Sequence, residues 1–281
     1  MSNVSGVSVP NIRIWEHRYG LFNPKRTGTN IRYYTKQDLS ILILIKYLLE
    51  LGHRIGKISK YSYSELRSLV LSELENESSN YFEKRKLIFL LVEGEVKAFD
   101  EFVKNCLDDV APVEFIIKAL EPVIRLLPVI SNLKDANSHY YSFVSNKILL
   151  RMLIAADDNA ISTSEDLEML LLQSDLNHIP LNLSLVNYLA SVKKYKTNIL
   201  LNMLSTEELA TLKKDLNPDI IYTEFNENQK ISEISESLSV LQRSFPLARI
   251  IASGSRMEKV WKDIPNKIYF TRSFEALLKS L

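Results

Sequence analysis

The sequence predicts a multidomain α and α/β protein: a winged helix-turn-helix head, a helical bundle, and a flavodoxin-like doubly wound parallel sheet. Three observations carry this. Residues 12–39 interleave Arg13, Arg18, Lys25, Arg26 and Arg32 with Trp15, Tyr19, Tyr33 and Tyr34. Apolar residues recur at three- and four-residue spacing from about Tyr63 to Ala156. From about Glu165 the period changes, and short apolar runs alternate with amphipathic stretches. The expected boundaries are 1–62 for the head, 63–160 for a bundle of four or so helices, and 165–281 for the sheet domain.

In the head, Pro10–Tyr19 reads as a helix and Gly20–Asn30 as a Gly/Pro/Asn-rich loop. Ile31–Tyr34 reads as a β-prone run and Lys36–Leu51 as a long helix ended by Gly52. A short helix, Ile55–Tyr61, follows. In the bundle the apolar stripes break at 76–80, 93–96, 108–112 and 132–138, the spacing of antiparallel helices joined by short loops. In the last block the strand candidates are Glu168–Leu172, Asn198–Leu201, Asp219–Thr223, Ala248–Ala252 and Lys267–Phe270. The helix candidates are Leu183–Tyr195, Thr206–Leu216, Gln229–Ser244, Arg256–Trp261 and Ser273–Ser280. Five strands alternating with five helices require a parallel sheet covered on both faces. Pro218 stops one helix and Asp219 opens the next strand.

The chain's net charge of +1 conceals an asymmetry: residues 1–60 hold ten lysines and arginines against three acids. A basic head on a mildly acidic body suits a nucleic-acid reader. Guanidinium forks bind phosphate oxygens, and phenol hydroxyls donate to them. The residues expected at DNA are Asn11, Arg13, Trp15, His17, Arg18, Tyr19, Lys25, Arg26, Arg32 and Tyr33.

The single cysteine, Cys106, excludes an internal disulfide, and its apolar neighbours favour a structural thiol. The start MSNVSGVSVP lacks the basic and apolar regions of a signal peptide, and Leu39–Leu51 is too short and too polar to span a bilayer. A cytoplasmic protein with no membrane partner is expected. No Gly-x-Gly-x-x-Gly, Walker loop, His-Glu-x-x-His or Gly-x-Ser-x-Gly occurs, and no enzyme is expected. The adjacent acids Asp157–Asp158 and Glu207–Glu208 read as solvated faces.

Asn11-Ile12-Arg13-Ile14-Trp15-Glu16 resembles the recognition-helix pattern of the MerR family of transcription regulators, Thr-[Ile/Leu]-Arg-x-[Trp/Tyr]-Glu, with Asn11 replacing Thr. Asn30-Ile31-Arg32-Tyr33-Tyr34 resembles that family's wing, and Pro24-Lys25-Arg26 stands at its Pro-x-Arg. The resemblance covers about 50 residues, with several motif pieces in order. It implies a homodimer or higher homo-oligomer on double-stranded DNA at a pseudo-palindromic operator, with RNA polymerase as a further partner. Such heads begin with a helix of about eight residues that positions the recognition helix. Here only Met1–Gly6 remain for it, so the natural start is expected upstream, a naturally shortened head being the alternative.

The order of head, bundle and sheet domain resembles the cobalamin-dependent, light-sensing repressors. Phe143-Val144-Ser145-Asn146 echoes their bundle helix, but Tyr141-Ser142 replaces its acid and histidine. Their Asp-x-His-x-x-Gly is represented by Asp175-Leu176-Asn177-His178-Ile179-Pro180-Leu181, with the spacing shifted and Leu181 in the glycine's place. Of their late Gly-Gly, Ser253-Gly254-Ser255 keeps one. The resemblance therefore implies cobalamin with His178 and Gly254 as its binding residues, while the degraded motifs imply weak binding or none. Two alternatives remain open: a protein-docking or dimerisation body with a residual head, and a true cobalamin sensor using His178.

Overall fold

The computed structural model describes residues 1–76, 81–109, 111–131, 138–160, 167–173, 181–201, 206–225, 229–254, 257 and 268–281. They form two compact units, Met1–Ile148 and Leu149–Leu281.

The first unit opens with a single turn, α1 (Ser2–Ser5), closed by Gly6 in the left-handed region. Helix α2 (Val9–Tyr19) is capped by Ser8, whose side chain accepts from the Asn11 N–H, and ends at Gly20 with φ +64°. A hairpin follows, β1 (Lys25–Arg26) pairing antiparallel with β2 (Arg32–Tyr33). The sequence pattern leaves Lys25–Arg26 in the loop, because two charged residues carry no β-signal. The turn makes the strand: Asn30 takes φ +65°, the Thr27 N–H donates to the Ile31 carbonyl, and the Ile31 N–H donates to Thr27 Oγ1. Helix α3 (Lys36–Glu50) starts from a full capping box between Thr35 and Asp38. Val7, Ile12, Phe22 and Leu42 form the head's core, with Trp15 and Tyr34 partly buried against it.

Beyond the short α4 (Ile55–Ile58) lie α5 (Tyr63–Glu75), α6 (Phe82–Glu93) and α7 (Val96–Leu107). Next come α8 (Pro112–Phe115), a π-helical turn (Ile116–Leu120) and α9 (Glu121–Ser131), and then α10 (Ser138–Ala160), within which the two units divide. Their ends fall at the breaks in the apolar pattern. The π turn has a local cause: the Pro122 nitrogen cannot donate to the carbonyl four residues back, and the ladder widens just before it. Cys106 is half-buried on α7, and burial pushes its thiol up to about 11. Among the described residues, no helix is long and apolar enough to cross a membrane.

The second unit contains β3 (Glu168–Gln173), α11 (Leu181–Val192), β4 (Lys196–Leu200), α12 (Thr206–Leu212) and β5 (Ile220–Glu224). It continues with α13 (Ile231–Ser244), β6 (Arg249–Ser253), β7 (Ile268–Phe270) and α14 (Phe274–Ser280). The strands are all parallel, in the order β4-β3-β5-β6-β7. This is the doubly wound order of flavodoxin-like folds, as the alternation of strands and helices predicts. Side chains alternate between two cores. Leu170, Leu172, Ile221 and Ile250 face Ile234, Leu238 and Leu241 of α13, whereas Met169, Leu171, Tyr222 and Ile251 face Leu183 and Val186 of α11 and Leu277 of α14. Pro218 is buried at the joint before β5, where Asp219 Oδ2 accepts from the Glu168 N–H at 2.8 Å. The expected helix Arg256–Trp261 lies almost wholly outside the described residues.

Candidate functional site

Successive residues of α2 turn through about 100°, and this sorts its side chains into two sets. Asn11, Arg13, Ile14, His17 and Arg18 fall on one side and are exposed. Ile12, Trp15, Glu16 and Tyr19 fall on the other. Ile12 is buried, and the other three are half-buried. Of the expected DNA residues on this helix, Asn11, Arg13, His17 and Arg18 therefore share an open face. Trp15 packs partly on the head's core, and the Tyr19 ring lies 5.5 Å from the Arg18 guanidinium.

Glu16 ties this helix to the wing. Its Oε1 pairs with Arg32 Nε at 3.2 Å, and its Oε2 accepts from the Tyr34 hydroxyl at 3.1 Å. Burial and the Glu16 carboxylate together hold the Tyr34 phenol above its usual range, so it remains a donor. Tyr34 also meets Phe22 edge-on at 6.2 Å. Glu16 is the one acid on α2, and Arg32 neutralises it, which leaves Arg13 and Arg18 to set the charge of the open face. At the wing, Lys25 and Arg26 are exposed, and Arg26 Nη1 donates to Asn30 Oδ1 at 2.7 Å. Thr35, directly after the wing, caps α3, so the chain passes from the clamped wing straight into the long helix. The sequence pattern assigns no role to Glu16 or Tyr34. A signal existed: the two motifs place an acid in one and a base in the other.

The second candidate is the crevice at the carboxyl ends of the parallel strands, where such sheets bind ligands. Gln173, Glu224 and Ser253 end three neighbouring strands in register. Gln173 is buried, and its Oε1 has no hydrogen-bond partner; the same holds for Thr223 Oγ1. Asn182 Nδ2 donates to Glu224 Oε1 at 2.9 Å, and the Tyr222 hydroxyl lies 2.5 Å from Ser253 Oγ. Gly254 has φ +105°, and a Cβ there would stand 2.1 Å from the Phe225 carbonyl oxygen. The Phe225 N–H in turn donates to the Ser253 carbonyl at 3.0 Å. The chain's own backbone thus fills the space beside this glycine. Asp175 and His178 lie outside the described residues; Leu181 opens α11 and is half-buried. On α10, Tyr141 is 2% exposed, its hydroxyl has no hydrogen-bond partner, and burial pushes its phenol up to about 12. Ser142 is exposed. Among the described residues, no three His, Cys, Asp or Glu side chains gather to hold a metal.

Residues 1–65 match the family described as MerR HTH family regulatory protein. The head is a MerR-type helix-turn-helix domain. Its match to the HTH-type transcriptional repressor CarH of Myxococcus xanthus is 39% identical over 59 residues, spanning 21% of this chain and 20% of the repressor. The aligned part is thus about a fifth of that relative's length. The chain is similar in fold to the monomethylamine corrinoid protein of Methanosarcina barkeri, with a TM-score of 0.52, 11% identity, and 72% of this chain covering 100% of that one. A cobalamin-binding protein from Desulfitobacterium hafniense aligns at a TM-score of 0.37 and 12% identity, over 77% of this chain and 88% of that one. Beyond the MerR-type head, the likeness to the corrinoid protein shows a fold alone. The chemistry of the crevice rests on the residues described above.

Proposed function

We propose that the protein is a MerR-type transcription regulator that reads duplex DNA through its head and carries a sensory and oligomerising body that has lost tight cobalamin binding. The observation behind the DNA half is the open face of α2, with Arg13, Arg18, Asn11 and His17 uncovered beside the basic wing. Arg13, Arg18, Lys25, Arg26 and the Tyr33 and Arg32 strand hold phosphates, and Asn11 and His17 approach base edges. A second copy reads the second half-site of a pseudo-palindromic operator, and the helical body carries the contact between the copies.

The residues described do not fit a corrinoid. Gly254 is committed to the Phe225 backbone, the Tyr222 and Ser253 hydroxyls are spent on each other, and Tyr141 and Ser142 bring no acid or imidazole. Loss of one supporting partner weakens a metal site about ten- to a hundred-fold. Titration of the full chain with adenosyl- and methylcobalamin, followed in the visible spectrum, tests this reading. No stoichiometric shift is expected at micromolar protein. A shift abolished by His178→Ala would make the protein a cobalamin sensor. Gel shifts against DNA upstream of its own gene, with and without cobalamin, test the DNA half. Monomeric protein at micromolar concentration in sedimentation, or a footprint over one half-site, would overturn the dimer.

A further inference from the structure

The centre of the open face of α2 is apolar. At about 100° per residue, Ile14 lies about 160° around the helix from Ile12, which anchors α2 in the head's core. Asn11 and His17, three residues to either side, bracket Ile14 at about 60° each way. Both are exposed, and Ile14 itself is 52% exposed. Glu16 lies about 160° from Ile14, on the far side of the helix, where Arg32 and Tyr34 hold it. A single exposed isoleucine is ordinary on a protein surface. This one is set apart by its place. It stands midway between the two side chains that approach base edges, on a face whose charged residues, Arg13 and Arg18, are cations.

We propose that Ile14 reads the C5-methyl group of a thymine in the major groove, once in each half-site. The inference rests on the DNA reading proposed above and names a base that this reading leaves open. An isoleucine side chain has neither donor nor acceptor. Set against guanine, adenine or cytosine, it would cover a hydrogen-bonding edge and return no bond. Thymine alone presents an apolar group on the major-groove surface. The β-branched side chain is stiff at χ1, so its methyl groups are held in position before DNA arrives.

A duplex that the full chain enriches from a randomised pool provides the probe. Its thymines are replaced one at a time by deoxyuridine, which lacks only the C5-methyl group, and affinity is read by fluorescence anisotropy at one salt concentration. One thymine in each half-site should show a loss of about three- to fivefold. Ile14→Ala should bind that thymine and its deoxyuridine equally, with the unfolding midpoint unmoved because the position is exposed. Arg18→Ala should bind both more weakly and keep the preference, since a phosphate contact carries no base information. An enriched site indifferent to deoxyuridine at every position overturns the proposal, and so does a preference that survives Ile14→Ala. A chain that binds duplex but enriches no sequence overturns this inference alone. A chain that binds no duplex overturns the DNA reading with it.

Discussion

On α2, Asn11, Arg13, His17 and Arg18 stand uncovered, whereas at the strand ends of the sheet unit Gln173, Thr223 and Ser253 are buried. Both regions carry the sequence echoes of a binding site, yet they use polar side chains differently. The head spends one acid, Glu16, on its own architecture and leaves its cations outside. The sheet unit directs its strand-end groups inward: Tyr222 to Ser253, Asn182 to Glu224, and the Gly254 backbone to Phe225. A motif residue left uncovered remains available to a partner. A motif residue drawn into internal contacts persists for the sake of the fold, and its presence says little about a ligand.

Gly254→Ala is expected to have the largest effect. With φ at +105° and a carbonyl 2.1 Å from the new methyl, backbone must move, and the cost should reach about 3 kcal/mol or more in urea unfolding. Its counterpart in the head is Gly28, in the wing turn, where a Cβ meets nothing within 4 Å and φ is not in the left-handed region. Gly28→Ala should change stability by about 0.5 kcal/mol or less. If Gly254→Ala is as mild as Gly28→Ala, the glycine is kept for something other than Phe225, and a ligand groove regains its case.

Next in size are losses of DNA affinity without loss of stability. Arg18→Ala and Arg13→Ala should each weaken binding across sequences and lower the salt slope by about one unit, with the unfolding midpoint unmoved. Arg32→Ala should lower the slope by a similar amount, roughly one unit, but Arg32 also holds Glu16. Glu16→Gln separates the two roles. It keeps every cation, so the slope should stay while affinity falls about tenfold as the wing loosens from α2. If Arg32→Ala leaves the slope at the parent value and matches Glu16→Gln in affinity, Arg32 positions the wing and does not touch the backbone.

The difference between the two regions also explains what was legible in the sequence. The sheet's five strands, and its helices other than the expected Arg256–Trp261, could be placed within a few residues because apolar runs on a doubly covered sheet leave a strong pattern, as at Met169–Leu172. The strand β1 was not legible, since its pairing rests on the Asn30 conformation and on Thr27 hydrogen bonds that two charged residues do not advertise. In the candidate site, Arg13 and Arg18 could be read by type, but helical phase divides them from Trp15, which the head's core partly covers. The clamp at Glu16 joins residues 16 and 18 positions apart, beyond any local period. The inward use of Gly254 was hidden for the same reason: the carbonyl it makes room for belongs to Phe225, on a different strand end.

The smallest expected effects concern the two caps that hold the reading surface at its ends. Thr35 accepts from the Asp38 N–H at 3.2 Å and donates to Asp38 Oδ2 at 2.9 Å, and its own N–H reaches the same oxygen at 2.8 Å. Ser8 makes one longer contact, from the Asn11 N–H at 3.4 Å, with no reciprocal partner. Thr35→Ala should therefore cost about 1–2 kcal/mol, and Ser8→Ala about 0.5 kcal/mol. Their effects on DNA should run the other way. Ser8 begins the helix whose open face meets the duplex, and fraying there displaces Asn11 first, so Ser8→Ala should reduce discrimination between operator and random DNA more than Thr35→Ala does. Comparing specific and non-specific affinity for both variants at one salt concentration checks this. If Thr35→Ala costs more specificity, the join between wing and α3 sets the geometry of the reading surface, and the open face of α2 depends on it more than on its own cap.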